Sequence, residues 1–383
     1  MLTSSYAVAV QFLILSLCLI LGLAFVYGNK RKRKNAHPRF EDLNYKLQKI
    51  TTLNMDEAPN RRRVREAFKK PILGIDHCML KMSYDSVEVG EFYEKNSKGL
   101  EIFSKSWLPK TSPLKAVVCF CHGYGEHITL FLEGMWLALE RTAKKLASYG
   151  YGVFALDYPG FGLSEGLNNY IPNFDLLVDD VIEHFSKIKE TKEYQSLPSF
   201  LFGYSMGGAV ALKVHLKQPK AWDGAVLISP MCKMADDIVP PWIVRQVLIG
   251  IAKFFPTAKL VPQSNVANLA FGDLKKRKLN DTYNVLGYRD NPRLQTAIVL
   301  LNTTQELERL LKEVSLPMLI QHGELDFVTD PSVSKELYEK ASSLDKKLLL
   351  YKGACHALLD GETDEMIFRV FDDTITWLDQ HSI

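Results

Sequence analysis

The stretch Ser199-Phe200-Leu201-Phe202-Gly203-Tyr204-Ser205-Met206-Gly207-Gly208, running on into Ala209-Val210-Ala211-Leu212-Lys213, leaves few folds open to this chain. An apolar, aromatic-rich run feeds Gly-x-Ser-x-Gly, and helix formers take over at once. That reads as a strand, a sharp turn and a helix that together present a serine hydroxyl at the end of a sheet. Gly203 and Gly207 flank the serine because a Cβ at either would collide with the incoming strand or the outgoing helix. Five such residues also recur by chance, so the flanks decide the matter.

On both sides, buried-strand runs alternate with helical patterns. Ala116 to Cys121, Gly152 to Leu156, Ser199 to Phe202, Ala225 to Ile228, Met318 to Gln321 and Leu348 to Tyr351 read as strands. Phe174, Leu177, Val178, Val181, Ile182, Phe185 and Ile188 share one face of a helix between them. Phe92-Tyr93 and Leu100 to Trp107, around Asn96-Ser97-Lys98-Gly99, predict an antiparallel hairpin in front. Strand and helix in turn predict an α/β fold, a mostly parallel sheet with helices on both faces.

The alternation lapses between Ser229 and Pro317. Trp242, Ile243, Val244, Val247, Leu248, Ile249, Ile251, Phe254 and Phe255 make a segment apolar nearly all round. It reads either as a helix buried in the core or as a cap over the site, about residues 230–317. As a cap, its apolar face, Trp242 and Phe254 included, would meet an acyl chain or a bilayer.

The apolar fraction of 47% and charged fraction of 24% are those of a globular protein. The net charge of +3 comes from clusters, chiefly Lys30 to Lys34 and Arg61 to Arg63, and gives no reason to expect a nucleic-acid partner. Arg61 to Lys70 reads as a solvated helix face. The six cysteines show no metal-ligand or redox spacing, so they read as buried, reduced thiols with no metal implied.

Tyr6 to Tyr27 carries no charge and, as a helix, would span roughly 33 Å, which predicts an N-terminal transmembrane helix. The uncharged start and the basic residues that follow favour a retained anchor with the catalytic part facing the cytosol, on the endoplasmic reticulum or another endomembrane. The alternative is a cleaved or organelle-targeting leader. The chain therefore divides into an anchor with its basic flank (1–34), a helical linker (35–84) and a catalytic domain (85–383) with its cap at about 230–317.

A serine hydroxyl attacks only when a base takes its proton, and that base needs an acid to orient it. Ser205 therefore requires a carboxylate and then a histidine later in the chain. His322-Gly323-Glu324-Leu325-Asp326 follows one predicted strand and Lys352-Gly353-Ala354-Cys355-His356 follows another. In an open parallel sheet both lie on the rim that carries Ser205, so Asp326 and His356 are the candidates. Glu324 stays open as an alternative acid. Asp330, ahead of Pro331, reads instead as a helix N-cap. The oxyanion of an ester under attack needs two backbone N–H donors: Met206, after the nucleophile, and Tyr124, in the turn Gly123-Tyr124-Gly125.

Together, His122 to His127 (His-Gly-Tyr-Gly-Glu-His), Leu156 to Gly166, Gly203 to Gly208 and the Asp326 and His356 contexts resemble the monoacylglycerol lipase family of α/β-hydrolases. The resemblance is to its plant branch, which includes lysophospholipases and caffeoylshikimate esterases, and it covers roughly residues 85 to 380. It implies an α/β-hydrolase fold with an eight-stranded core, a helical cap, a Ser205/Asp326/His356 triad, an oxyanion hole at Tyr124 and Met206, and no cofactor. Glu126 matches the glutamate with which animal members bind glycerol. Their arginine and histidine for that task fall at Leu130 and Leu359, and Tyr204 and Tyr124 also depart from the family pattern. The implied function is a membrane-associated serine esterase acting on single-acyl lipid esters, monoacylglycerol or lysophospholipid, through an acyl-enzyme. The alternatives are a phenolic ester such as caffeoylshikimate as substrate, or a non-catalytic receptor that has kept the fold.

Overall fold

The computed structural model describes residues 45–68, 86–128, 138–232, 241–261 and 269–382. The chain divides into two compact units, Met1–Asn54 and Met55–Ile383. In the first, the described element is a short helix, α1 (Tyr45–Thr51). The predicted anchor at Tyr6 to Tyr27 and its basic flank lie outside the described residues. Among those residues, no helix is long and apolar enough to cross a membrane.

The larger unit is built on eight strands: β1 (Val87–Lys95), β2 (Glu101–Pro109), β3 (Ala116–Cys121), β4 (Tyr151–Leu156), β5 (Ser199–Tyr204), β6 (Gly224–Ile228), β7 (Met318–Gly323) and β8 (Lys346–Tyr351). They form one sheet in the order β1-β2-β4-β3-β5-β6-β7-β8. The hairpin β1–β2 and the pair β2–β4 are antiparallel, and every pairing from β4 to β8 is parallel. Strands β3 to β6 are buried on both faces, which is why they read as unbroken apolar runs rather than alternating ones.

Helices cover both faces. On one lie α4 (Phe174–Lys189), α5 (Met206–Lys217), α8 (Leu294–Leu310) and α9 (Pro331–Lys340), whose Leu177, Val181, Phe185, Val210, Val214, Leu307, Val333 and Leu337 share a core with Val117, Leu201 and Leu227 of the sheet. On the other lies α10 (Asp364–His381), where Trp377 meets Phe200 edge to face at 5.9 Å. Helix α4 starts where Asn173 accepts the Leu176 N–H, and α9 where Asp330 accepts that of Ser332 with Pro331 in the first turn. The cap-bearing segment contributes α6 (Trp242–Ala252), α7 (Leu274–Tyr283) and α8. The remaining helices are α2 (Ala58–Phe68) and α3 (Ala138–Ser148).

Two readings of the sequence are corrected. The buried-core reading of residues 242–255 does not hold: only Ala252 of α6 is buried, while Trp242 is 65% and Phe254 80% exposed. Nor is Arg61 to Lys70 a solvated face over its described part. Arg61 of α2 is fully buried, and its guanidinium donates to the carbonyls of Met55, Gly162 and Ser164 at 2.5–2.9 Å. A buried guanidinium is tolerated because backbone oxygens replace its water. Basic charge in the sequence did not distinguish this arginine from its solvated neighbours.

Candidate active site

Ser205 lies between β5 and α5, and it holds a positive-φ backbone, φ 54° and ψ −120°, that a residue with a Cβ rarely adopts. The turn is possible because Gly207 has no side chain: a Cβ there would lie 1.9 Å from the Cys121 carbonyl of β3. Ser205 makes no side-chain cap to its own helix, so its hydroxyl is not spent on the helix start.

Asp326 sits in the turn after β7 and His356 in the turn after β8, which brings both to the same end of the sheet as Ser205. His356 Nδ1 donates to Asp326 Oδ2 at 2.7 Å. Ring centroids of His356 and Tyr204, the residue before Ser205, are 5.5 Å apart. Asp326 Oδ1 accepts the N–H groups of Val328 and Thr329, an Asx turn that locks the carboxylate. Burial works to raise the Asp326 pKa, but the charge of His356 and hydrogen bonds from His322 and His356 outweigh it. The carboxyl is held well below the usual carboxylate range. Glu324, the alternative acid, is exposed and its backbone is tied to Tyr351 and not to the imidazole. Asp330 is an N-cap, as its sequence context suggested.

Three contributors to this constellation were not singled out from sequence. His322 donates from Nε2 toward Asp326 Oδ2 at 2.9 Å. The Thr329 hydroxyl also reaches Asp326 Oδ2, at 2.8 Å, and the Ser229 hydroxyl donates to the His356 carbonyl at 3.1 Å. Only His322 left a trace in the sequence, by following a strand; Thr329 and Ser229 carry no local signal.

Across from the elbow, the turn Gly123-Tyr124-Gly125 follows β3, and the position of a Cβ on Gly123 would be 3.3 Å from Ser205 Cβ. The Tyr124 and Met206 amides make no backbone hydrogen bond among the described residues. For Met206 the reason is that it opens α5 and has no helical carbonyl behind it. The turn is latched from the cap-bearing segment: the Tyr288 N–H donates to the Gly125 carbonyl at 2.8 Å and His127 Nε2 meets Asn284 Oδ1 at 3.0 Å. Gly125 needs φ +78° with Tyr288 O against it, which suits glycine alone. His122 is buried, stacked on Tyr158 and pushed down to about 3 by that burial, so it is a neutral support and not a base.

Glu126 adjoins Gly123. Burial and the nearby Asp360 push its carboxyl up to about 8, against Arg289 and the Gly123 N–H. Trp242 and Phe254 stand at the surface on α6 and just after it. Leu359 is buried, and Leu130 lies outside the described residues. Of the cysteines, Cys119, Cys121, Cys232 and Cys355 are free thiols; the first three are buried. Among the described residues, no group of three or more His, Cys, Asp or Glu is placed to hold a metal ion.

A strained serine, an aspartate–imidazole pair and two amides at helix and turn starts can run acyl transfer. Residues 112–364 match the hydrolase family described as serine aminopeptidase, S33. The chain is 33% identical over 284 residues to caffeoylshikimate esterase of Arabidopsis thaliana, covering 73% of this chain and 82% of the relative. It is 32% identical over 290 residues to monoglyceride lipase of Homo sapiens, covering 75% and 89%. Among solved structures, a soluble variant of monoglyceride lipase from Saccharomyces cerevisiae in complex with a substrate analog superposes with a TM-score of 0.68 at 20% identity, over 79% of this chain and 99% of that one.

Proposed function

The chain belongs to the serine aminopeptidase, S33 family of hydrolases and is a serine ester hydrolase of the monoglyceride lipase type; from that premise we propose that it cleaves single-acyl lipid esters, monoacylglycerol or lysophospholipid, through an acyl-enzyme on Ser205. The observation that carries this reading is the 2.7 Å Asp326–His356 pair on the same rim as the strained Ser205 turn. Asp326 fixes the His356 tautomer, leaving Nε2 to take the Ser205 proton as the hydroxyl attacks the ester carbonyl. The Tyr124 and Met206 N–H groups receive the oxyanion, each such donor contributing roughly 10²–10³ in rate. His356 then protonates the departing alcohol, and water repeats the cycle to release the acid. Glu126, holding its proton near neutrality, would donate to the alcohol portion of the ester.

The exposed apolar face of α6, with Trp242 and Phe254, suits contact with an acyl chain or a lipid surface, and an anchor at Tyr6 to Tyr27 would keep it there on the cytosolic side. The catalytic chemistry would then lie within 85–383, with the segment before Met55 as its membrane connection. A second reading keeps the chemistry and changes the alcohol to a phenolic ester such as caffeoylshikimate; it is supported by the Arabidopsis relative and by Leu359, which offers a glycerol hydroxyl no partner.

The test is a panel of monoacylglycerols, lysophospholipids and phenolic esters, with and without detergent micelles. Ser205→Ala is the blank. Hydrolysis and fluorophosphonate labelling are expected to vanish together in Ser205→Ala; labelling that persists would overturn the mechanism. A wild-type protein that never labels would point to the non-catalytic receptor.

A further inference from the structure

Asp326 has a second imidazole partner that the acyl-transfer cycle does not use. His322, in β7, is fully buried. Its Nε2 lies 2.9 Å from Asp326 Oδ2 and 3.0 Å from the Thr329 carbonyl oxygen, and its Nδ1 lies 2.7 Å from Ser334 Oγ of α9. Both oxygens facing Nε2 are acceptors only, so Nε2 carries the proton, and Nδ1 accepts the Ser334 hydroxyl. Oδ2 of Asp326 is thereby shared by three donors: His356 Nδ1, His322 Nε2 and Thr329 Oγ1.

From this shared oxygen we infer that His322 is a positioning residue that lowers the basicity of His356 by drawing on the negative charge of Asp326. The inference rests on the reading of Asp326 and His356 as acid and base. A carboxylate whose charge is divided between two imidazoles stabilises an imidazolium at His356 less than an undivided one does. The general base stays unprotonated, and so competent, to lower pH.

Among the described residues, the other titratable groups around His356 are Tyr204 from β5 and the adjacent Cys355. Beyond them lie Glu126, Asp360 and Glu362, whose charges act on Tyr204. Among the described residues, the ionisable groups linked to His322 are Asp326 and, through it, His356. Glu126 titrates near neutrality, so the experiment is run in a Glu126→Gln background to remove its inflection.

The measurement is kcat/KM against pH, from about 5 to 9, on a soluble short-chain ester with the full-length protein. In His322→Leu the acid limb is expected to move up by about half to one pH unit. In His322→Gln, whose amide can still donate to Asp326 and accept from Ser334, it should stay near its original position. A lowered plateau in His322→Leu with the acid limb unmoved would assign His322 a packing role and overturn the inference. So would equal displacement in the leucine and glutamine variants. If His322→Leu does not fold, Ser334→Ala carries the test: losing the hydroxyl behind Nδ1 weakens the Nε2 donor, and the limb should move the same way by less, whereas no movement overturns the proposal. Retained turnover in His356→Ala would instead defeat the underlying assignment, whatever His322 does.

Discussion

At the scale of the residue, the site concentrates unfavourable states that the fold makes tolerable. Ser205 is strained and Glu126 is held protonated. The strain has a cause visible in sequence, since Gly203 and Gly207 bracket it; the Glu126 shift has none, because it depends first on burial and then on Asp360, far along the chain. With a native pKa near 8 and an unfolded value near 4.5, the folded protein holds one more proton across that window, so this group makes stability fall as pH rises through it. Glu126→Gln should remove that loss. Thermal melts at pH 5 and pH 8 are expected to show a smaller drop in Tm for the variant than for the parent, and equal drops would reject the shifted carboxyl.

At the scale of the element, α6 shows how composition and environment part company. Its residues are as apolar as those of a core helix, yet Trp242, Ile243 and Val244 face solvent, as do Phe254 and Phe255 after it. Hydrophobic periodicity cannot separate a helix covered by protein from one left open to solvent, since both carry the same apolar residues. Replacing Trp242, Phe254 and Phe255 with serine should lower turnover of liposome-presented substrate by an order of magnitude or so, from about 1.5–3 kcal/mol of lost burial per side chain only partly realised at an interface. Turnover of a soluble short-chain ester should stay within about twofold. Equal losses on both would assign these side chains to folding rather than to the interface.

At the scale of the whole molecule, α2 is part of the larger unit and not a tether to it. Arg61 clamps backbone carbonyls of the 162–166 loop, and Asp56 pairs with Arg293 at 2.6 Å and Lys259 at 3.4 Å, so residues 55–68 join two regions far apart in sequence. Arg61→Met should leave several buried carbonyls without donors and cost about 3 kcal/mol, read as a fall in Tm and in denaturation midpoint. A chain begun at residue 85 should fail to melt cooperatively, while one begun at Met55 should melt as the parent does. Indistinguishable melts for the two would return this segment to the status of a linker.

The sheet and the elbow are legible in the residues alone, because they rest on local steric and periodic rules. Strands β3 to β8 lie where their apolar runs are, and Ser205, Asp326 and His356 fall at the ends of β5, β7 and β8. Tertiary structure alone decided that Arg61 is buried, that α6 is exposed, and that His322, Thr329 and Ser229 gather around Asp326 and His356. The reason is physical. Periodicity reports which face of an element is apolar, whereas the partner of a buried polar group is set by segments brought together only when the sheet closes.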